Sequence, residues 1–524
     1  MEDSQRPEIV IGLVGPIGVD LDYVQETIVQ ELGKLKYRSI PLRITELMKA
    51  IPTGIEIDET SFSAKYQSLI AYANMVCKIA KSSAALAAMA VARIRAERAL
   101  VTSDPETPAL GHAYIIRQFK RPQEIDLMRK TYGRKFIQIS VSASEKERRA
   151  EIARKIKEFD ESTRDKDDCE KEAIDLIKKD FDEGIGSFGQ KISNIYHLGD
   201  IFVYGMNKNN IDDTLKRFFE AFFGHNGRSP TKMEYGMYTA AAASLRSIDL
   251  SRQVGASIFT GAGEILAMGC NEVPKAFGGT YWAEDGENAQ RDFERGRDAN
   301  HSRKLEMLHD LLERMNKAGF LSKELSSKSN AVEQLREIMG HDDIKDSQVM
   351  DIIEFGRMIH AEMSAITDAA RTGVSIRGAT MYCTTFPCHM CAKHIVSSGI
   401  RSLVYLEPYP KSYAVELNSD SITFEDDLAE KKVLFRPFVG ISPRRYRDIF
   451  EKRSRKKDDG RRKDWYYGEP LPMIEDKSPA YIENEDSSII SQLGEEIASQ
   501  LAVSPKTVAP VSEATTEVEG VTSE

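Results

Sequence analysis

The sequence predicts an α/β protein made of two α/β/α domains in series, and three observations predict it. Short apolar runs of strand length alternate with longer helical patterns from Glu8 to Tyr204, as in a mainly parallel sheet covered by helices on both faces. A breaker-rich string, Gly224-His225-Asn226-Gly227-Arg228-Ser229-Pro230-Thr231-Lys232, then interrupts the alternation. A second alternation of helix, paired strands and further helices follows. At 524 residues the chain is too long for one ordinary hydrophobic core. The expected division is 1–224, a linker 225–233, a second domain 234–450, and a terminal segment 451–524.

The first strand is the run 8–14, Glu-Ile-Val-Ile-Gly-Leu-Val. The turn Gly15-Pro16-Ile17-Gly18 and a helical pattern from Leu21 to Leu35 follow it. Further strands are expected at Arg38–Ile44, Ala99–Ser103, Ala113–Ile116, Lys135–Val141 and Ile201–Tyr204. Residues 158–191 are charged and helical, in the manner of a lid-like insertion. In the second domain a helix at about 234–248 leads into the strands Val254–Phe259 and Glu264–Cys270. The glycine turn Thr260-Gly261-Ala262-Gly263 joins them as a hairpin. A long charged insertion, about 275–350, is expected to be mostly helical after Ser302. Lys452–Lys463 holds eight Lys or Arg among its residues. The cluster reads either as a contact for phosphates or RNA, or as a solvated linker. The last 40 residues or so hold too few large apolar side chains to offset chain entropy, so disorder is expected there.

Bulk composition narrows the function classes. The net charge is −10 and the pI near 5.6, which gives no global field for nucleic acid. Met1 to Pro7 lack the basic and then apolar order of a secretory leader. The greasiest helical stretch, Ala84–Leu100, contains Arg93, Arg95, Glu97 and Arg98. It falls short of the roughly 20 apolar residues that a membrane span needs, so no membrane role is expected. Six cysteines in this length fit a reducing cytoplasm, where a close cysteine pair signals metal rather than disulfide.

Two strings carry the chemistry: His360-Ala361-Glu362 and Pro387-Cys388-His389-Met390-Cys391. One imidazole and two thiolates make three protein ligands. A catalytic zinc takes three, keeps its fourth position for water, and lowers that water's pKa towards about 7. His360, Cys388 and Cys391 are the expected ligands and Zn2+ the expected cofactor. Glu362 is the expected catalytic residue. It takes a proton from the water and delivers protons to the ring nitrogen and the leaving amine. Residues two apart diverge inside a helix, so His360 and Glu362 converge only where the chain enters one. H-x-E followed by P-C-x-x-C is the signature of zinc nucleobase deaminases. The alternative is a closed structural zinc site with Cys383 or His389 as fourth ligand, which leaves Glu362 without a task.

From Tyr235 to about Phe438 the chain resembles the deoxycytidylate deaminase family. The matching stretches are Arg252-Gln253-Val254-Gly255-Ala256, Gly269-Cys270-Asn271-Glu272-Val273-Pro274, and the two zinc strings with Phe386 before the proline. The resemblance implies that Asn271 contacts the deoxyribose, although a turn-forming role is open. Arg252, Lys275, Arg444 and Arg445 are candidate phosphate partners, with Arg252 carried as substrate-binding. The chain departs from the family at Cys270, where an aromatic is usual, in the Tyr409–Tyr413 loop, which lacks an acidic residue, and in the long insertion.

The two-domain layout, with Phe438-Val439-Gly440-Ile441-Ser442-Pro443-Arg444-Arg445-Tyr446 after the second domain, is similar to bacterial anti-phage deoxycytidine triphosphate deaminases. That resemblance implies an N-terminal P-loop-kinase-like domain before a cytidine-deaminase-like domain. It also implies a free deoxycytidine nucleotide as substrate (dCTP, dCMP or both), and depletion of that pool during phage infection. A homo-oligomer and a small inhibitory RNA are further implied partners. Deamination of cytosine within RNA or single-stranded DNA, and a non-enzymatic zinc-containing regulator, are the competing functions.

The N-terminal turn departs from its own motif. Gly12, Gly15 and Gly18 stand between a strand and a helix, as in a phosphate-cradling loop. The loop then reads Val19-Asp20-Leu21-Asp22, without the lysine and Ser or Thr that a P-loop requires. Arg117, Phe119-Lys120-Arg121-Pro122, and Arg148-Arg149 at the place of lid arginines continue the kinase-like pattern. Each arginine alone also fits a solvated helix face. A sensor or repressor domain without phosphoryl transfer is expected.

Overall fold

Strands buried on both faces read as unbroken apolar runs rather than alternating ones. β1 (Ile9–Val14) is buried at every position, and β4 (Phe136–Ser142) at all but its last. With β2 (Arg38–Arg43), β3 (His112–Arg117) and β5 (Ile201–Tyr204), they form a parallel sheet in the order β5-β4-β1-β3-β2. In this computed structural model the described residues are 6–159, 165–181, 183, 188–328, 330–345, 347–409, 411–474 and 480–503. They divide into two compact units, one containing 1–229 with 448–524 and the other Pro230–Arg447. The described residues of the terminal segment, 451–474 and 480–503, therefore belong to the first unit.

Two expectations for the first unit are corrected. Ala99–Ser103 is the end of a helix, Ala85–Thr102, and not a strand. Its Leu100 and Val101 are exposed, so the alanine-rich run upstream decides the conformation and the local β-branched residues do not. Ser103, in the left-handed region at φ 64°, ends it. The tail is ordered at least to Val503, in the helix Tyr481–Val503. Tyr481, Ile482, Ile489 and Leu493 join the core. Residues 504–524 of the expected disordered tail lie outside the described residues. Glu485 ties the helix in, because its carboxylate accepts two bonds of 2.7 Å from the fully buried Arg98 guanidinium.

The second unit has its own sheet, ordered β10-β11-β9-β8-β6-β7. Its strands are β6 (Gly255–Phe259), β7 (Ile265–Cys270), β8 (Thr380–Thr385), β9 (Ser402–Glu407), β10 (Ile422–Thr423) and β11 (Val433–Pro437). β6 pairs antiparallel with β7 and β8, and the rest is parallel. Two glycines bring one helix onto each face. A side chain at Gly255 would meet the Ala240 carbonyl at 1.9 Å, in the helix Lys232–Ser244. One at Gly269 would meet the Ala361 carbonyl at 2.3 Å, in the helix Ala361–Thr372. Ala256 pairs with Gly269, so Gly255 and Gly269 point to opposite faces and the unit is an α/β/α sandwich. The insertion is helical at Ala299–Lys317 and Ala331–Ile338. Among the described residues no helix is long and apolar enough to cross a membrane.

Candidate active site

Both chemical strings open helices. His360 is the N-cap of Ala361–Thr372, in extended backbone at φ −68° and ψ 155°. It can therefore aim away from the helix axis while Glu362 sits in the first turn. Its approach is pinned from the segment after β7, since Ile359 donates to the Glu272 carbonyl at 3.0 Å and Glu272 donates back at 3.3 Å. Cys388 is the N-cap of His389–Ser397, and its sulfur accepts the Cys391 amide N–H at 3.4 Å. Pro387 stands one residue before that cap, not in the first turn. Its corner is held by the Phe386 amide on the Glu407 carbonyl, 2.7 Å, and the Ser412 hydroxyl on the Pro387 carbonyl, 2.7 Å.

Nδ1 of His360 lies 3.3 Å from the sulfur of Cys388 and 3.3 Å from that of Cys391. The ligand atoms of the three residues all fall within 4.8 Å of one another, and they form a group able to hold a metal ion. Cys383 and His389 are not in it. Cys383 is buried in β8, and the His389 ring faces the Glu354 carboxylate at 3.1 Å. Among the described residues the group has three ligands rather than four, which leaves a corner of the tetrahedron for a non-protein group.

The electrostatics fit a cation. The Cys388 thiol is held down to about 4, first by the hydrogen bond from Cys391 and then by His360. Cys391 is raised by that same bond and by burial. The hydrogen bond to Cys388 raises the His360 imidazole to about 9 against its burial. A metal at this point replaces the protons that the metal-free site retains. Glu362 is 4% exposed. Burial raises its pKa, and the charge of His360 opposes the rise.

Residues 230–407 match the cytidine and deoxycytidylate deaminase zinc-binding region. The deoxycytidylate deaminase of Enterobacteria phage T4 is 61% identical over 54 residues, 10% of this chain and 28% of that protein. The phage T2 enzyme gives 61% over 54 residues, 10% and 29%. ComE operon protein 2 of Bacillus subtilis gives 45% over 62 residues, 12% and 33%. The chain thus spans under a third of the length of these two phage relatives. The solved dCMP deaminase of cyanophage S-TIM5 is 19% identical, with a TM-score of 0.21, over 40% of this chain and 98% of that one.

Within this zinc-binding region a cavity of about 230 Å³ opens onto His360, Glu362 and Cys388. Asn271 and Arg252 also line it. Asn271 is buried, and its side chain spans the Arg252–Val254 loop. Its Oδ1 accepts from the Val254 amide at 2.7 Å, and its Nδ2 donates to the Arg252 carbonyl at 2.8 Å. Arg252 is half-exposed and pairs with Glu407 at 3.0 Å, with its guanidinium 5.3 Å from the Tyr409 ring centre. Lys275, Arg444 and Arg445 do not line the cavity. Asp249, Met358 and Ile353 do, and sequence reasoning missed them. Asp249 accepts the Ser251 amide at 2.9 Å, so Asp-Leu-Ser was a legible side-chain turn. Met358 and Ile353 end the long connection and carried no signal.

The N-terminal glycines part company. A side chain at Gly12 would strike the rings of Phe119 and Phe136 at 2.6 and 2.8 Å. Gly12 therefore serves strand packing, which corrects its assignment to a nucleotide loop. Gly15 and Gly18 do form the turn, Gly18 at φ 94°. Arg148 is buried and does not lie on a solvated face.

Proposed function

We propose that the second unit hydrolyses the exocyclic amine of a free cytosine deoxynucleotide. The arrangement of Glu362 beside a three-ligand His360, Cys388 and Cys391 group carries this reading, because a purely structural metal site has no use for a buried carboxyl group. Zinc, when bound there, supplies Lewis acidity and a water-derived nucleophile at neutral pH. Glu362 does the proton work. Its carboxylate collects a proton from the attacking water and delivers it to the ring nitrogen, then collects the second proton from the added hydroxyl and delivers it to the amine as the C–N bond breaks and ammonia leaves. Its raised pKa keeps it able to hold that proton between steps. Asn271 fixes the floor on which the sugar rests, and Arg252 at the cavity wall meets the 5′ phosphate.

Similarity to deoxycytidylate deaminases, together with a cavity sized for one nucleotide, favours a free substrate over a nucleic-acid strand. The substrate is dCMP, dCTP or both. On the two-domain resemblance, its conversion to the uracil form depletes the cytosine pool on which an infecting phage draws. A homo-oligomer and a small inhibitory RNA belong to the same reading. Incubation of purified protein with dCMP, dCTP, CTP and single-stranded oligonucleotides, followed by chromatography for uracil products, tests it. Uracil deoxynucleotides are expected, and reaction of the oligonucleotides alone contradicts it.

A further inference from the structure

We propose that the basic segment of the first unit is a ribbon that enters the major groove of duplex DNA and grips its phosphates. Residues 452–463 hold eight Lys or Arg and two Asp. They fold back on themselves as a hairpin. The Lys457 amide donates to the Arg461 carbonyl at 2.7 Å, the Lys463 amide donates to the Arg455 carbonyl at 2.9 Å, and Lys456 bridges antiparallel to Arg462. Asp458, Asp459 and Gly460 make the loop, closed by the Gly460 amide on the Lys457 carbonyl at 2.9 Å, with Gly460 at φ 82°. The register puts cation opposite cation on three successive rungs: Arg455 with Lys463, Lys456 with Arg462, and Lys457 with Arg461. Like charges directly opposite each other destabilise a hairpin, and the Lys456–Arg462 rung is of the closer, non-hydrogen-bonded kind. A segment that only crosses solvent gains nothing from this arrangement, whereas a polyphosphate turns each rung into two contacts.

The root of the ribbon is fixed, and its body is exposed. Asn226 holds it on the first unit, its amide donating to the Asp464 carbonyl at 2.7 Å and its Nδ2 to the Lys463 carbonyl at 3.0 Å. His225 bridges to Trp465, and its carbonyl accepts from Lys452 Nζ at 3.0 Å. Arg455, Lys456, Lys457, Arg461 and Arg462 are all exposed. Arg461 and Arg462 pair with Asp459 and Asp464, but exposed pairs of this kind are weak enough to be exchanged for phosphate. The two faces choose the partner. Alternate residues point to opposite faces, so Arg455, Lys457, Arg461 and Lys463 share one face and Lys456 and Arg462 share the other. Cations on both faces suit a groove with a phosphate wall on each side. They do not suit a flat anionic bilayer, for which 452–463 also supplies no apolar side chain to insert. A two-stranded ribbon fits the major groove of B-form DNA, roughly 12 Å wide, whereas the A-form groove of RNA is too deep and narrow. Phosphate contacts carry no base information, so binding is independent of sequence. This surface is independent of the deamination proposed for the second unit.

Fluorescence anisotropy with the full-length chain tests this, using short DNA duplexes of two unrelated sequences, an RNA duplex of equal length, and polyglutamate. Both DNA duplexes are expected to bind alike, and more tightly than the RNA or the polyglutamate. Affinity is expected to fall with salt at a log–log slope of about −4 to −5, the value for about five neutralised phosphates. Lys456→Thr combined with Arg462→Thr is expected to weaken DNA binding by about tenfold or more and to make the slope shallower by about 2. The melting temperature of that variant is expected to hold or rise, because a like-charge rung is gone. Lys49→Gln combined with Lys130→Gln removes as much charge from the same unit and is expected to leave the affinity within about twofold. Absence of DNA binding at about 50 mM salt overturns the proposal. So does equal binding by wild type and the variant lacking Lys456 and Arg462. Tighter binding of the RNA duplex would assign the ribbon to another nucleic acid, and tighter binding of polyglutamate to an acidic protein, and either result also overturns it.

Discussion

A carboxyl group buried to the extent of Glu362 resists ionisation, and one next to a metal cation is drawn towards it. Poised between these effects, Glu362 is suited to passing protons. Replacing it with Ala is expected to lower kcat by about 10²–10⁴ with zinc content unchanged, as read by ammonia release and elemental analysis. A parallel loss of zinc would show that Glu362 holds the site together and does not work in it. The three ligands make a second prediction. His360, raised to about 9, must lose its proton to ligate, and so must the raised Cys391. Below that pH each binding event releases protons. Zinc affinity is therefore expected to climb by about tenfold to a hundredfold per pH unit between roughly 6 and 9, measured by competition with a chelator. An affinity flat with pH contradicts the ligand set. All four of these residues were legible in the sequence because their spacing encodes helix entry. The place of Asp249 on the cavity wall was not, since its side-chain turn is local and only the fold brings it to helix N-termini far later in the chain.

At the scale of elements, the site depends on how closely two helices approach the sheet. Gly269 lets the His360–Thr372 segment lie against β7, and Ala361 occupies the space a side chain would need. Gly269→Ala is expected to cost about 1–3 kcal/mol and to lower kcat, because the helix it displaces carries both His360 and Glu362. Denaturant unfolding and turnover measured together check this, and a stable, fully active variant would contradict it. Strands such as Ile9–Val14 were legible from composition alone because both of their faces are buried. Ala99–Ser103 was misread for a complementary reason. Leu100 and Val101 have strand-like chemistry, but they face solvent on a helix nucleated upstream. Local pattern reports which side chains want burial, and only the assembled fold reports which obtain it.

Across the whole molecule, the tail shows how far apart in sequence the decisive partners lie. Arg98 is fully buried between Glu8 and Glu485, so the segment read as disordered supplies one of two counter-charges to an interior cation. No window of sequence near Tyr481 announces that partner. Glu485→Gln is expected to destabilise the first unit by about 3–5 kcal/mol, seen as an early thermal transition, and an unchanged melting curve would contradict it. The account as a whole stands on Glu362 acting beside the His360, Cys388 and Cys391 group. Its most direct test is ammonia release from dCMP and dCTP by zinc-loaded wild-type chain beside Glu362→Ala of equal zinc content. The account predicts a uracil deoxynucleotide and ammonia in equal amounts from the wild type and almost none from the variant. Equal turnover by both proteins, or none by the zinc-loaded wild type on either nucleotide, would contradict it.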